Sequence, residues 1–221
     1  MAITFVSSVL SSNNTTIAFT LTLPATVAND LLVMEYCHRS TQNGAIIGNI
    51  STGWTSFVDR RFSGASTFSG KAYWHRTSSN YLGLTTAVTS LINSSAGICT
   101  VYRGVAATGN PLGSATVSSE YNTSGNETQG QISTSTADCM ICLTVANSPD
   151  LAVSGQSSVA TGSMTERAEL LNTGGTDTSI SHASALFSAT GNTGALVWAQ
   201  TNASSASWAY ALTPEPVAAG G

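Results

Sequence analysis

The sequence predicts an all-β protein, an antiparallel β-sandwich of jelly-roll type with an internal twofold sequence repeat. Three observations lead there: short runs with period-two alternation, turn-rich stretches between them, and one set of short words stated twice. Ala28-Asn29-Asp30-Leu31-Leu32-Val33, Gly53-Trp54-Thr55, Ala72-Tyr73-Trp74 and Ile98-Cys99-Thr100-Val101-Tyr102 form the first set. Thr136-Ala137-Asp138-Cys139-Met140-Ile141, Ser163-Met164-Thr165, Ala185-Leu186-Phe187 and Trp208-Ala209-Tyr210-Ala211-Leu212 form the second. The steps are 24, 19 and 28 residues in the first and 26, 22 and 24 in the second. Residues 1–213 therefore read as a single sandwich domain with repeat halves at about 28–105 and 136–213, followed by a C-terminal arm, 214–221.

The elements follow in chain order. Met1 to Val6 lacks a basic segment and an unbroken apolar core, so it reads as a first strand and not as a signal peptide. Ile17, Phe19, Leu21 and Leu23 share one face of a strand that Pro24 ends. Leu31 to Tyr36 is apolar on both faces except at Glu35, the pattern of a strand between two layers. Further strands are expected at residues 55–60, 70–76, 85–92, 98–103, 139–146, 164–171, 181–188, 194–201 and 207–212. Thr41-Gln42-Asn43-Gly44, Thr108-Gly109-Asn110-Pro111 and Thr173-Gly174-Gly175-Thr176-Asp177 supply turns. The polar passage 114–135 is either a crossover with concealed strand pairing or a projecting loop, and the rarity of long structureless loops favours the crossover.

Composition limits function. Charged residues are 8% of the chain, hydrophobic residues 42%, and the net charge is −4, so the surface is neutral and hydroxyl-rich. One lysine, Lys71, and six scattered arginines make no basic stripe, which argues against nucleic acid as a partner. No apolar run approaches the ~18 residues of a membrane span. The expectation is a soluble product of a cytosol. Cys37, Cys99, Cys139 and Cys142 lie inside strand-like runs and read as buried thiols. Cys139 and Cys142 form a C-x-x-C, but on a strand their side chains point to opposite faces, which disfavours a metal site; no cofactor is expected.

Several words are shared with a known group in the same order: Gly53-Trp54-Thr55, Lys71-Ala72-Tyr73-Trp74-His75-Arg76, Val101-Tyr102-Arg103-Gly104-Val105 with Asn110-Pro111-Leu112, Met164-Thr165-Glu166-Arg167, and Trp208-Ala209-Tyr210-Ala211-Leu212-Thr213-Pro214. They resemble a jelly-roll-like β-sandwich domain of bacteriophage structural proteins, of the decoration or fibre type, and of bacterial surface proteins. The resemblance spans about residues 28 to 214. It implies a virion structural surface protein made in the host cytoplasm, acting through protein–protein contacts, with capsid decoration as the expected role and no catalytic residues to carry over. Its partners would be further copies of itself, with a trimer favoured by analogy, and the major capsid or other virion proteins. The alternative is a carbohydrate-binding module or adhesin of a tail fibre or cell surface, taking a host-surface glycan.

The residues themselves offer little chemistry. His38, His75 and His182 fall on different strands without a nucleophile or metal spacing. Asp30 and Asp138 hold matching repeat positions, where a carboxylate accepts turn amide hydrogen bonds. Glu35 is expected to pair with Arg39 or Arg103. Most aromatic residues sit in the repeated words and are expected in the core. Tyr81 and Tyr121, in polar loops, are the candidates for ligand contact, and Pro214 and Pro216 in the arm are the candidates for partner contact.

Overall fold

The computed structural model describes residues 2–13, 18–40, 53–62, 67–78, 85–89, 94–112, 118–122, 126–174, 177–201 and 205–216. Among them there is no helix, and every strand pairing is antiparallel. The first half of the chain contains β1 (Thr4–Asn13), β2 (Ala18–Thr22), β3 (Leu31–Ser40), β4 (Thr55–Phe62), β5 (Thr67–Arg76), β6 (Thr85–Thr89) and β7 (Ser94–Arg103). The second half contains β8 (Ser118–Asn122), β9 (Asn126–Gln129), β10 (Ser133–Thr134), β11 (Cys139–Asn147), β12 (Ser154–Ser158), β13 (Gly162–Ser163), β14 (Thr165–Asn172), β15 (Thr178–Phe187), β16 (Gly191–Asn192), β17 (Leu196–Ala199) and β18 (Ser205–Leu212). The polar passage at 114–135 thus contains three paired strands, β8, β9 and β10, as the crossover reading required.

Two five-stranded sheets pack face to face. The first has the order β4-β5-β3-β7-β1 and the second β14-β15-β11-β18-β8. Each outer face is covered in turn. The β2–β6 ribbon covers the first sheet, and the four-stranded sheet β13-β12-β17-β9 covers the second. This layering explains why the central strands are apolar on both faces. On β3, Leu31, Val33 and Cys37 enter the shared core between the large sheets, while Leu32, Met34 and Tyr36 meet Leu21 and Leu23 of the ribbon side. On β11, Met140, Cys142 and Ala146 point to the shared core, and Cys139, Ile141, Leu143 and Val145 pack with Leu196 and Trp198. Cys139 and Cys142 therefore do face opposite layers, and all four cysteines are free and buried. Burying each large aliphatic or aromatic side chain of these layers contributes about 1.5–3 kcal/mol.

Corresponding places in the two sheets share a detail. β4 carries an irregularity between Ser56 and Val58 against β5, and β14 carries one between Glu166 and Ala168 against β15. Both follow the words Gly53-Trp54-Thr55 and Ser163-Met164-Thr165. The strand-start carboxylates, by contrast, do not match. Asn29 and Asp138 are the residues with positive φ, 69° and 59°, ahead of β3 and β11, whereas Asp30 is buried and Asp138 is exposed. Asn29, two residues before β3, and Asp138, one residue before β11, share a left-handed turn conformation that asparagine and aspartate tolerate.

Trp208 decides how closely the two sheets approach. Its ring is fully buried against Gly70 of β5, where a Cβ atom would lie 2.7 Å from the ring. A glycine at that strand position is the space the indole occupies.

Candidate functional site

Among the described residues, two places gather functional polar groups, one sealed and one open. The sealed one is a side-chain cluster in the shared core. Glu35 projects from β3, Tyr102 from β7, Thr144 from β11, His182 from β15 and Trp208 from β18, all wholly buried. Thr144 Oγ1 and Trp208 Nε1 donate to Glu35 Oε1 at 2.5 and 2.9 Å. His182 Nδ1 lies 2.7 Å from Glu35 Oε2 and 2.9 Å from Thr144 Oγ1. At that distance Glu35 Oε2 meets the imidazole as an ion pair, and it has no other hydrogen-bond partner. On the far side of the imidazole, His182 Nε2 is 2.6 Å from the Tyr102 hydroxyl, which also accepts from Cys142 Sγ at 3.6 Å.

The electrostatics follow from that geometry. Burial opposes the charge on Glu35, but the adjacent His182 charge and the hydrogen bonds from His182, Thr144 and Trp208 outweigh it and hold the carboxyl below its usual range. Burial likewise opposes the imidazolium, and the Glu35 carboxylate overrides it, raising His182 to about 10. Burial pushes the Tyr102 and Tyr210 phenols well up, helped for Tyr102 by Cys142 and for Tyr210 by Glu35. At neutral pH the cluster is a carboxylate–imidazolium pair enclosed by neutral hydroxyls. Glu35 therefore pairs with His182 and not with Arg39 or Arg103. Arg103 is engaged elsewhere, because the mid-strand position of Glu35 faces the second sheet while Arg103 ends its strand at the rim.

The open place is one end of the sandwich, where the chain following β18 returns. Thr213 N donates to Pro111 O at 2.9 Å and Ala106 N to Thr213 O at 2.9 Å. Pro214 forms a bridge with Val105, and Glu215 N donates to Gly104 O at 2.8 Å. The Glu215 carboxylate accepts from Ala107 N. Arg76 Nη1 donates to Asn29 O and Val105 O at 3.0 and 3.4 Å, and its Nη2 donates to Ala106 O. Burial lowers the Arg76 guanidinium and the nearby Glu215 charge raises it, with burial the larger effect. Arg103 grips Asp30 with two parallel bonds, 2.8 and 2.9 Å, and Asp30 also accepts from Val27 N at 2.9 Å. Gly104 lies at φ 81°, and a Cβ there would sit 2.6 Å from the Ala2 carbonyl oxygen.

These contacts leave two clefts separated by Glu215. One, of about 350 Å³, is lined by residues including Val27, Asp30, Arg103 and Val105; the other, of about 530 Å³, by residues including Ala2, Thr136, Asp138, Pro214 and Pro216. No member of the buried cluster lines either cleft.

The predicted contact residues separate accordingly. Pro214 and Pro216 come together on the larger cleft, Pro214 buried and Pro216 exposed. The arm does not begin at 214 as a free segment, because Pro214 and Glu215 are bonded into the domain; residues 217–221 lie outside the described residues. Tyr121 is in strand β8, paired with Ala206, and not in a loop, since the concealed pairing at 114–135 absorbs it. Tyr81 lies outside the described residues. Among the described residues, no group of His, Cys, Asp and Glu could hold a metal ion, and no helix is long and apolar enough to cross a membrane. The buried cluster escaped sequence reasoning. Its one signal is the acid inside an apolar run at Glu35, and its partners come from distant strands. No protein-family model, curated protein or solved structure matches the chain.

Proposed function

We propose that this protein is a structural surface component of a bacteriophage virion, working by contact with neighbouring proteins, with capsid decoration as its role. We infer further that each half is a jelly-roll-type unit and that the domain is a duplication. The support is nesting: β1 with β7, β2 with β6 and β3 with β5 in one half, and β8 with β18, β9 with β17, β10 with β16 and β11 with β15 in the other. Pairing nested in this way is that of a long hairpin rolled on itself, which is what supports the jelly-roll reading of each half.

The observation that carries the functional reading is the character of the surface. Among the described residues, the exposed large hydrophobic side chains are Val6, Leu10, Val27, Val159, Leu171, Leu186 and Val197, with no aromatic ring among them. Aliphatic side chains on a surface poor in charge suit contact with protein, whereas stacking on a saccharide requires an open aromatic face. Among the described residues, the carboxylate–histidine–hydroxyl set of Glu35, His182 and Thr144 is sealed in the core, and the open clefts are lined by turns, prolines and carboxylates. That arrangement offers surfaces to a partner and no poised nucleophile to a substrate.

The test is binding. Labelled protein is incubated with capsids of the phage that encodes it and, in parallel, with a glycan array. Saturable binding to capsids supports the reading. Saccharide binding that is lost in Tyr81→Ala or Tyr121→Ala would replace it with the glycan-binding module.

A further inference from the structure

We propose that Glu35, Thr144, His182, Trp208 and Tyr102 form a proton-operated latch between the two large sheets, closed while His182 is protonated and Glu35 is ionised. Glu35 and Tyr102 belong to the first sheet; Thr144, His182 and Trp208 belong to the second. Apart from the Thr144–His182 bond, every contact of the cluster crosses from one sheet to the other. Trp208 Nε1, Thr144 Oγ1 and the imidazole each fix one direction around a single carboxylate. Displacing one sheet along the other by a residue would leave that carboxylate buried among aliphatic side chains.

The groups facing the pair from each packed strand are neutral. They are Tyr102 of β7, Cys142 of β11, Tyr210 of β18 and Ser184 of β15, while β5 and β14 present Ala72 and Ala168. Arg167 of β14 donates Nε to Ser184 Oγ at 2.9 Å, while Arg103 of β7 is bonded to Asp30 and Lys71 of β5 to Asp59. No other charge in this shell takes the place of the imidazolium, so its loss leaves a buried anion without compensation, a state that strongly favours opening.

The pH limits follow from the two partners. His182 is raised to about 10 from an unfolded value of 6.5, so its contribution is complete below 6.5 and is lost as pH rises through about 10. Glu35 is lowered from 4.5, so its contribution is present above 4.5 and is lost as pH falls through its folded value. The pair's contribution to stability is therefore complete between those two unfolded values, and the latch stays closed until pH approaches the folded value of His182, about 10.

Urea unfolding of the full chain from pH 5 to pH 10.5, wild type against Glu35→Gln, tests this. The wild-type midpoint is expected to be flat from about pH 5 to 6.5 and to fall toward pH 10. Glu35→Gln should lose the part of that fall due to the pair, because its imidazole has no counter-charge to hold the proton. Nitrogen-15 NMR of the wild-type imidazole gives a reading independent of any variant's folding: a doubly protonated His182 at pH 8 supports the latch. A neutral His182 ring at pH 8, or an alkaline fall identical in the two proteins, overturns it.

Discussion

Replacing Gly70 by alanine tests whether the sheets are as close as Trp208 implies. Gly70 has an ordinary strand conformation, so the substitution brings no backbone strain and by itself would stabilise by up to about 1 kcal/mol through the unfolded chain. The new methyl would lie 2.7 Å from Trp208 Cζ3 and 3.0 Å from Cη2, against about 3.5–4.0 Å for carbon atoms in good contact. The indole cannot swing away freely, because its Nε1 is bonded to Glu35 and the ring is fully buried. Overpacking of this kind costs roughly 1–3 kcal/mol, which after that gain leaves a net loss of up to about 2 kcal/mol. The partner variant Trp208→Phe removes both clashing ring atoms. It also deprives Glu35 of a donor, at a cost of about 1–3 kcal/mol. In the phenylalanine background, Gly70→Ala should become neutral or mildly stabilising. Urea unfolding followed by circular dichroism on all four proteins measures the coupling. Equal losses from Gly70→Ala in both backgrounds would refute the reasoning, as would a wild-type background that tolerates the alanine.

Other consequences can be measured in the same way. Gly104→Ala places a side chain at φ 81° against the Ala2 carbonyl and should lower stability by about 1–3 kcal/mol, seen as a reduced thermal midpoint. Removing residues 214–221 should lower the midpoint by breaking the Pro214–Val105 bridge and the Glu215 bonds to Gly104 and Ala107. The native protein should react with a thiol reagent at pH 8 only as fast as it unfolds. Burial pushes Cys37 to about 12 and raises Cys99 and Cys139, and a stoichiometric rapid reaction would contradict the four sealed thiols.

The sequence made the strands legible wherever alternation or a two-faced apolar run was strong. Leu31 to Tyr36 read as a central strand because burial on both sides favours apolar residues on both faces, with Glu35 the exception, and Cys139 to Ala146 read as a strand. The strands of the polar passage were harder to see. Ser118–Asn122 and Asn126–Gln129 lack an apolar period and are held by backbone bonds to β18 and β17, which side-chain patterns do not report. Site chemistry was least legible. Glu35 announced itself as an acid in an apolar run, but whether His182 or Arg103 would meet it depends on which face of which sheet each strand presents. Asp30 was correctly placed as an acceptor of a turn amide, while its bidentate bond with Arg103 depends on β3 and β7 being neighbours.

The nested pairing sets an order on synthesis at the ribosome. β7 lies between β1 and β3, so the first sheet cannot form until residue 103 has emerged. The second sheet waits for β18, whose last residue is Leu212, because that strand is inserted between β11 and β8. Throughout the interval the first sheet would show Leu31, Val33, Ile98 and Tyr102 to water, together with the unpartnered Glu35 carboxylate. With partners so distant along the chain, closure is expected to be slow, and the half-made molecule is the form most exposed to wrong association. A buried acid on that naked face is then useful before it has a partner. Until His182 arrives, a solvated carboxylate makes the face a poor surface for another chain to cover.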